Sequence, residues 1–151
     1  MTTIYIDADA CPVKEETYRV ARRYSLRVEL VANTELSIPP GELFGITVRE
    51  GFGAADDHIA EVAGEGDIVV TADIPLAARC VANFARVIDP RGRVFTENDV
   101  GDALAARDLA EELRQYGLPT AGPPPMTQKD RSRFLGKLDE LVHAARKRKR
   151  P

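Results

Sequence analysis

The apolar positions of this chain fall into two alternating kinds of pattern. The short apolar run at 3–7 reads as a strand, and Pro12 then suits the first turn of a helix. Val13, Thr17, Val20, Ala21 and Tyr24 recur at helical spacing, which predicts an amphipathic helix over 12–24. "LRVELVA" (26–32) returns to strand, with Leu26, Val28 and Leu30 alternating against charges. "NTELSIPPGELFG" is loop-like, and "ITVRE" (46–50) is a short strand. After "GFG" a helix from Ala54 to Ala63 is expected to bury Ala55, Ile59 and Val62.

"GEGD" makes a turn before "IVVT" (68–71), a continuous apolar run of the kind found in a central parallel strand. A short helix from about Pro75 carries Leu76, Cys80 and Val81, "ARVID" (85–89) is another strand, and "DPRG" is a turn. "TEND" (96–99) has the capping-box pattern and opens a helix to Tyr116. "GLPTAGPPPM" breaks that helix, and "TQKD" (127–130) opens a last one marked by Phe134, Leu138, Leu141, Val142 and Ala145. Strand and helix alternate through residue 89 and two helices finish the chain. The expected fold is therefore an α/β three-layer sandwich around a mostly parallel sheet.

Length changes this picture little: 151 residues, 44% apolar, suit one domain, placed at 1–146, with 147–151 as a basic disordered tail. No basic region followed by an apolar stretch opens the chain, and no apolar run is long enough for a bilayer. Cys11 and Cys80 are too few for a disulfide framework, which favours a reducing, cytoplasmic setting with no membrane partner. Charge adds more. Residues 1–128 carry 12 basic and 21 acidic side chains, whereas residues 129–151 carry 9 basic and 3 acidic. A basic end on an acidic body hints at a polyanionic partner, although "RKRKRP" also reads as a plain solvated tail.

The chemistry gathers at strand ends, where open α/β sheets bind their ligands. "IYIDADACP" (4–12) ends an apolar strand in Asp7 and Asp9, and a buried, unpaired carboxylate is costly unless it meets solvent or a cation. Asp73 follows "IVVT", Asp89 follows "ARVI", and Asp56 and Asp57 sit near the start of the helix after "GFG", with either able to reach the same place. Clustered carboxylates repel and raise one another's pKa unless a cation is present. Mg²⁺ or Mn²⁺, hard ions taking oxygen ligands and water, would resolve the conflict at Asp7, Asp9 and Asp73 and activate a water towards a phosphoryl group. Plainer roles stand beside this: Asp56 or Asp57 complementing a helix dipole, Asp73 capping a helix, and Asp89 starting a turn. Cys11 reads as a small buried side chain and His58 as a helix-surface residue. With His58 and His143 the only histidines, a histidine-rich transition-metal site has no support.

"DADACPVK", "VAN" (31–33), "GFGAADDHI", "GDIVVTADIPLA", "PRGRVFT" and "GPPPMTQKDRSRF" occur in this order across nearly the whole chain. Together they resemble the YaiI/YqxD family, small bacterial proteins with a PIN-like domain and no assigned biochemical role. One departure is Asn83-Phe84, where a Lys-Gly pair is usual. The wider PIN-like resemblance implies an α/β/α fold and a Mg²⁺- or Mn²⁺-dependent nuclease acting on RNA. It implies Asp7 and Asp73 as the principal carboxylates, with Asp9 and Asp56 on the family's motif positions, so that all four are the expected catalytic set. Arg91, Arg93 and Arg131 are candidate phosphate contacts. The opening also resembles haloacid-dehalogenase-type phosphatases, with Asp7 as nucleophile, Asp9 as general acid and Thr71 as the threonine of that pattern. Ala10-Cys11 after the aspartates and the absence of a lysine between Lys14 and Lys129 count against it. A non-enzymatic RNA- or protein-binding module is the remaining alternative.

Overall fold

The structure, a computed structural model, describes residues 2–118 and 124–148. Six strands, β1 (Thr3–Asp7), β2 (Arg27–Ala32), β3 (Phe44–Val48), β4 (Ile68–Val70), β5 (Arg86–Ile88) and β6 (Val94–Phe95), form one sheet in the order β3-β2-β1-β4-β5-β6. All neighbours pair in parallel except β5 and β6. The helices are α1 (Lys14–Tyr24), α2 (Ala54–Val62), α3 (Ile74–Ala82), α4 (Glu97–Gln115) and α5 (Gln128–Arg148).

The pleat sends alternate strand residues to two separate cores. Ile4, Ile6, Val28, Leu30, Val70 and Ile88 meet Val20 and Ala21 of α1 and Phe134, Leu138 and Val142 of α5. On the opposite face Val31, Val69 and Val87 meet Ile59 of α2, Leu76 and Cys80 of α3 and Val100 of α4. This is the expected three-layer α/β/α sandwich. β4 is fully buried along its length, as its unbroken apolar run predicts. Both capping boxes form: Thr96 with Asp99 at α4, and Thr127 with Asp130 before α5.

The strand order fixes the functional geometry. From β1 the chain steps outward to β2 and β3, then returns through α2 to β4 on the other side of β1. The connections on either side of the β1–β4 pair therefore diverge, which opens a crevice beyond their carboxyl ends.

Several boundaries differ from expectation, each for a local reason. β3 begins at Phe44 rather than Ile46 because Phe44 pairs with Val28 and packs edge-on against Tyr18, ring centroids 5.3 Å apart. Arg49 and Glu50 lie beyond the strand and are exposed. A 3-10 turn at Ala8–Ala10 separates β1 from α1, which starts at Lys14 rather than Pro12. β6, which the sequence reading omits, is two residues long and forms by pairing Phe95 antiparallel to Val87. Val62 is 42% exposed, contrary to expectation, because the last turn of α2 reaches a polar groove with Tyr5, Glu29 and His58. α5 continues through Arg148, past the expected boundary at 146, and residues 149–151 of the basic tail lie outside the described residues. Among the described residues no helix is long and apolar enough to cross a membrane.

Candidate active site

Parallel pairing of Ile6 with Val70 brings the ends of β1 and β4 side by side, so Asp7 and Thr71 leave the sheet together. The Thr71 hydroxyl donates to Asp7 Oδ2 at 2.8 Å and accepts from the Asp73 amide at 3.0 Å. Thr71 is 2% exposed, so one buried hydroxyl both orients Asp7 and closes the turn that carries Asp73. Asp73 is the N-cap of α3: its Oδ1 accepts from the Leu76 amide at 2.9 Å, and Pro75 occupies the first turn. The capping role and a place at the site coexist, because the cap occupies one carboxylate oxygen and leaves the other.

Asp9 is exposed on the 3-10 turn, and both of its oxygens accept from the Asn33 amide, at 3.1 and 2.9 Å. Asp56 stands in the first turn of α2, while the adjacent Asp57 pairs with Arg79 at 2.7 Å. Asp57 is thus held by a cation, whereas Asp56 feels the charges of Asp7 and Asp73. Asp89 is a turn residue, its Oδ1 accepting from the amides of Arg91 and Arg93 at 2.9 Å each.

Burial, with like charge adding to it, governs the electrostatics of Asp7 and Asp56. Burial raises the pKa of Asp7, the Thr71 hydrogen bond opposes that shift, and the charges of Asp73 and Asp9 add to it. Asp56 is pushed up to about 6, first by burial and then by Asp7, Asp73 and Asp57, with Arg79 opposing. Asp7 and Asp73 line a cleft of about 200 Å³ with Cys11, Thr71 and Pro90. Burial raises the Cys11 thiol, in keeping with a packing role rather than a nucleophilic one.

Among the described residues no three His, Cys, Asp or Glu side chains converge into a ready metal cage. The donor set fits a narrower requirement. Mg²⁺ is held by one or two carboxylates together with water and substrate phosphate, and Asp7 and Asp73 supply such a pair through the oxygens that Thr71 and Leu76 leave. Asp9 accepts from the Asn33 amide and adds its charge to the field at Asp7. Asn33 and Thr71 are absent from the expected metal-dependent set. Their signal is that each is the first polar residue beyond an apolar strand at the same sheet edge.

The candidate phosphate-binding arginines each make contacts within the fold. Arg91 pairs with Asp130 at 2.9 Å and donates to the Pro124 carbonyl. Arg131 donates to the Pro12 carbonyl at 2.6 Å and to Glu16 at 3.2 Å, which ties α5 to the start of α1. Arg93 lies with its guanidinium 5.1 Å from the Phe95 ring centre.

With this geometry in view, comparison with known proteins is specific at the family level. A UPF0178 protein of Paramagnetospirillum magneticum is 53% identical to this chain over 97% of it and 98% of the relative. One of Rhodospirillum centenum is also 53% identical, over 97% and 99%, and one of Gluconacetobacter diazotrophicus is 52% identical, over 98% and 97%. No solved structure gives a significant match. The model described as "Uncharacterized BCR, YaiI/YqxD family" matches residues 5–144, and the chain therefore belongs to that family.

Proposed function

We propose that this protein is a divalent-metal-dependent phosphodiester hydrolase that acts on RNA. The observation that carries the reading is the carboxylate group around the β1–β4 crevice: burial raises Asp7 and Asp56, the charges of neighbouring aspartates add to both shifts, and a bound cation would relieve them. The resemblance to PIN-like nucleases supplies the substrate class.

When bound, Mg²⁺ or Mn²⁺ supplies charge stabilisation for the phosphoryl group and a more acidic water. Asp7 and Asp73 would hold the ion, and the Thr71 hydroxyl orients Asp7 and opposes the rise in its pKa. Asp56, pushed up to about 6 in the metal-free protein, would serve as general base toward a water. Asp9 closes the turn against Asn33 and contributes negative charge from outside.

The test is cleavage of an unstructured RNA with Mg²⁺ or Mn²⁺, and with EDTA as control. Activity should need the metal and fall roughly 100-fold or more in Asp7→Asn and in Asp73→Asn, the scale of losing one electrostatic contact to the transition state. A phosphatase would instead hydrolyse p-nitrophenyl phosphate, lose that turnover on Asp7→Asn, and leave RNA intact. RNA binding unaffected by EDTA, with no cleavage, would point to a binding module.

A further inference from the structure

The "GFG" segment places a phenylalanine where the fold gives it no packing partner. Phe52 is 109% exposed, the most exposed of the large apolar residues described. It is nonetheless held on a fixed loop. Gly51 and Gly53 take φ of +109° and +72°, left-handed values that L side chains rarely adopt. The Asn33 side-chain amide donates to the carbonyls of Arg49 and Gly51, both at 3.0 Å. Further along, the Ala54 amide donates to Gly51 and the Asp57 amide to Gly53.

The same Asn33 holds Asp9 through its backbone amide, so one residue joins the acidic site to the aromatic loop. Phe52 and Asp56 line one open depression of about 570 Å³ with Asn33, Thr34 and Glu50. Phe84, also exposed, instead follows α3 and precedes β5, at the opposite edge of the sheet. Among the described residues no basic side chain lines the Phe52 depression, which offers a ligand an aromatic face and polar groups at its rim rather than phosphate contacts.

We infer that Phe52 is a stacking platform for an unpaired nucleobase, positioning a single strand across the acidic site. The inference rests on the proposed action on RNA and deepens it. Every base offers a π-face to a flat aromatic ring, whereas a duplex keeps those faces covered. Phe52 would thus select single-stranded substrate, and the rim groups Asn33, Thr34 and Glu50 would meet the base edge.

The chain has no tryptophan, so Phe52→Trp creates a single tryptophan at the platform, excited selectively over the four tyrosines. Oligoadenylate should quench its emission, and the duplex of oligoadenylate with oligouridylate should not. Binding of a fluorescently labelled oligoadenylate, read by anisotropy in EDTA, should weaken roughly tenfold in Phe52→Ala and be restored in Phe52→Tyr. An unchanged thermal midpoint in the three variants, expected for so exposed a side chain, establishes that folding is not the cause. Oligoadenylate that binds without quenching, or with Phe52→Ala unaffected, overturns the platform and leaves the hydrolase reading standing. Quenching without cleavage under any divalent metal upholds the platform and overturns the hydrolase. No binding of oligoadenylate by either readout overturns the platform.

Discussion

Thr71 shows how much one side chain contributes at this site. Its hydroxyl donates to Asp7 and accepts from the Asp73 amide while almost fully buried. Thr71→Val keeps the shape and removes both bonds, so it should destabilise the fold by about 1–3 kcal/mol in urea unfolding, and Thr71→Ser should recover most of that. Asp56 makes a second prediction, through pH. Its pKa rises from 3.8 to about 6 in the folded protein, so between those values the folded state binds more protons than the unfolded chain. Without metal, the stability linked to Asp56 is full below pH 3.8 and lost as pH rises through 6. Asp56→Asn should remove that slope and stabilise the metal-free protein at pH 7.5 by no more than about 1 kcal/mol, because the carboxylate is partly exposed and screened. Denaturation at pH 4 and pH 7.5, with and without the substitution, reads the sign directly.

Elements carry two jobs at once here. Asp73 both caps α3 and borders the cleft, and the two roles separate by substitution. Asparagine caps a helix about as well as aspartate, so Asp73→Asn should keep stability while losing metal response. Asp73→Ala should cost about 1 kcal/mol more than Asp73→Asn, a difference that calorimetry would resolve. α5 is held by burial more than by charge. Phe134, Leu138 and Val142 are wholly buried against the sheet, whereas Arg131 reaches Glu16 and Pro12 from a half-exposed position. Phe134→Ala should therefore cost about 3–5 kcal/mol, and Arg131→Ala about 1 kcal/mol or less. Comparable losses from the two would show that the ion pair holds the helix.

At the scale of the whole molecule, sheet order turns separate strand ends into one site. Because β1 and β4 are neighbours although 64 residues separate Asp7 from Thr71, a ligand that bridges their ends stabilises the folded state alone. Mg²⁺ or Mn²⁺ at ten times its dissociation constant should add about 1.4 kcal/mol, a rise of about 3–5 °C in the thermal midpoint for a domain of this size. Asp7→Asn should abolish the rise without lowering the metal-free midpoint by more than a few degrees. A metal response that survives in Asp7→Asn would place the ion elsewhere.

Much of this was written locally. The alternation in "LRVELVA", the unbroken run of "IVVT" and the caps "TEND" and "TQKD" each encode an element through a few neighbouring residues, and so were legible without contacts. The positions of Asp7 and Asp73 at strand ends were legible for the same reason. What a single stretch cannot carry is pairing across the chain. Phe44 joins β3 because Val28 and Tyr18 receive it, and β6 exists because Val87 pairs with Phe95. Asp57 is held by Arg79, 22 residues on. Asp9 turns to Asn33, and Arg91 and Arg131 turn to Asp130 and Glu16, through contacts that form only when the layers close. Local patterning was enough for the main strands and helices and for where the charges lie along them. The tertiary structure alone decided which carboxylates share a low-dielectric crevice, because their repulsion and their partners depend on distances set by strand order.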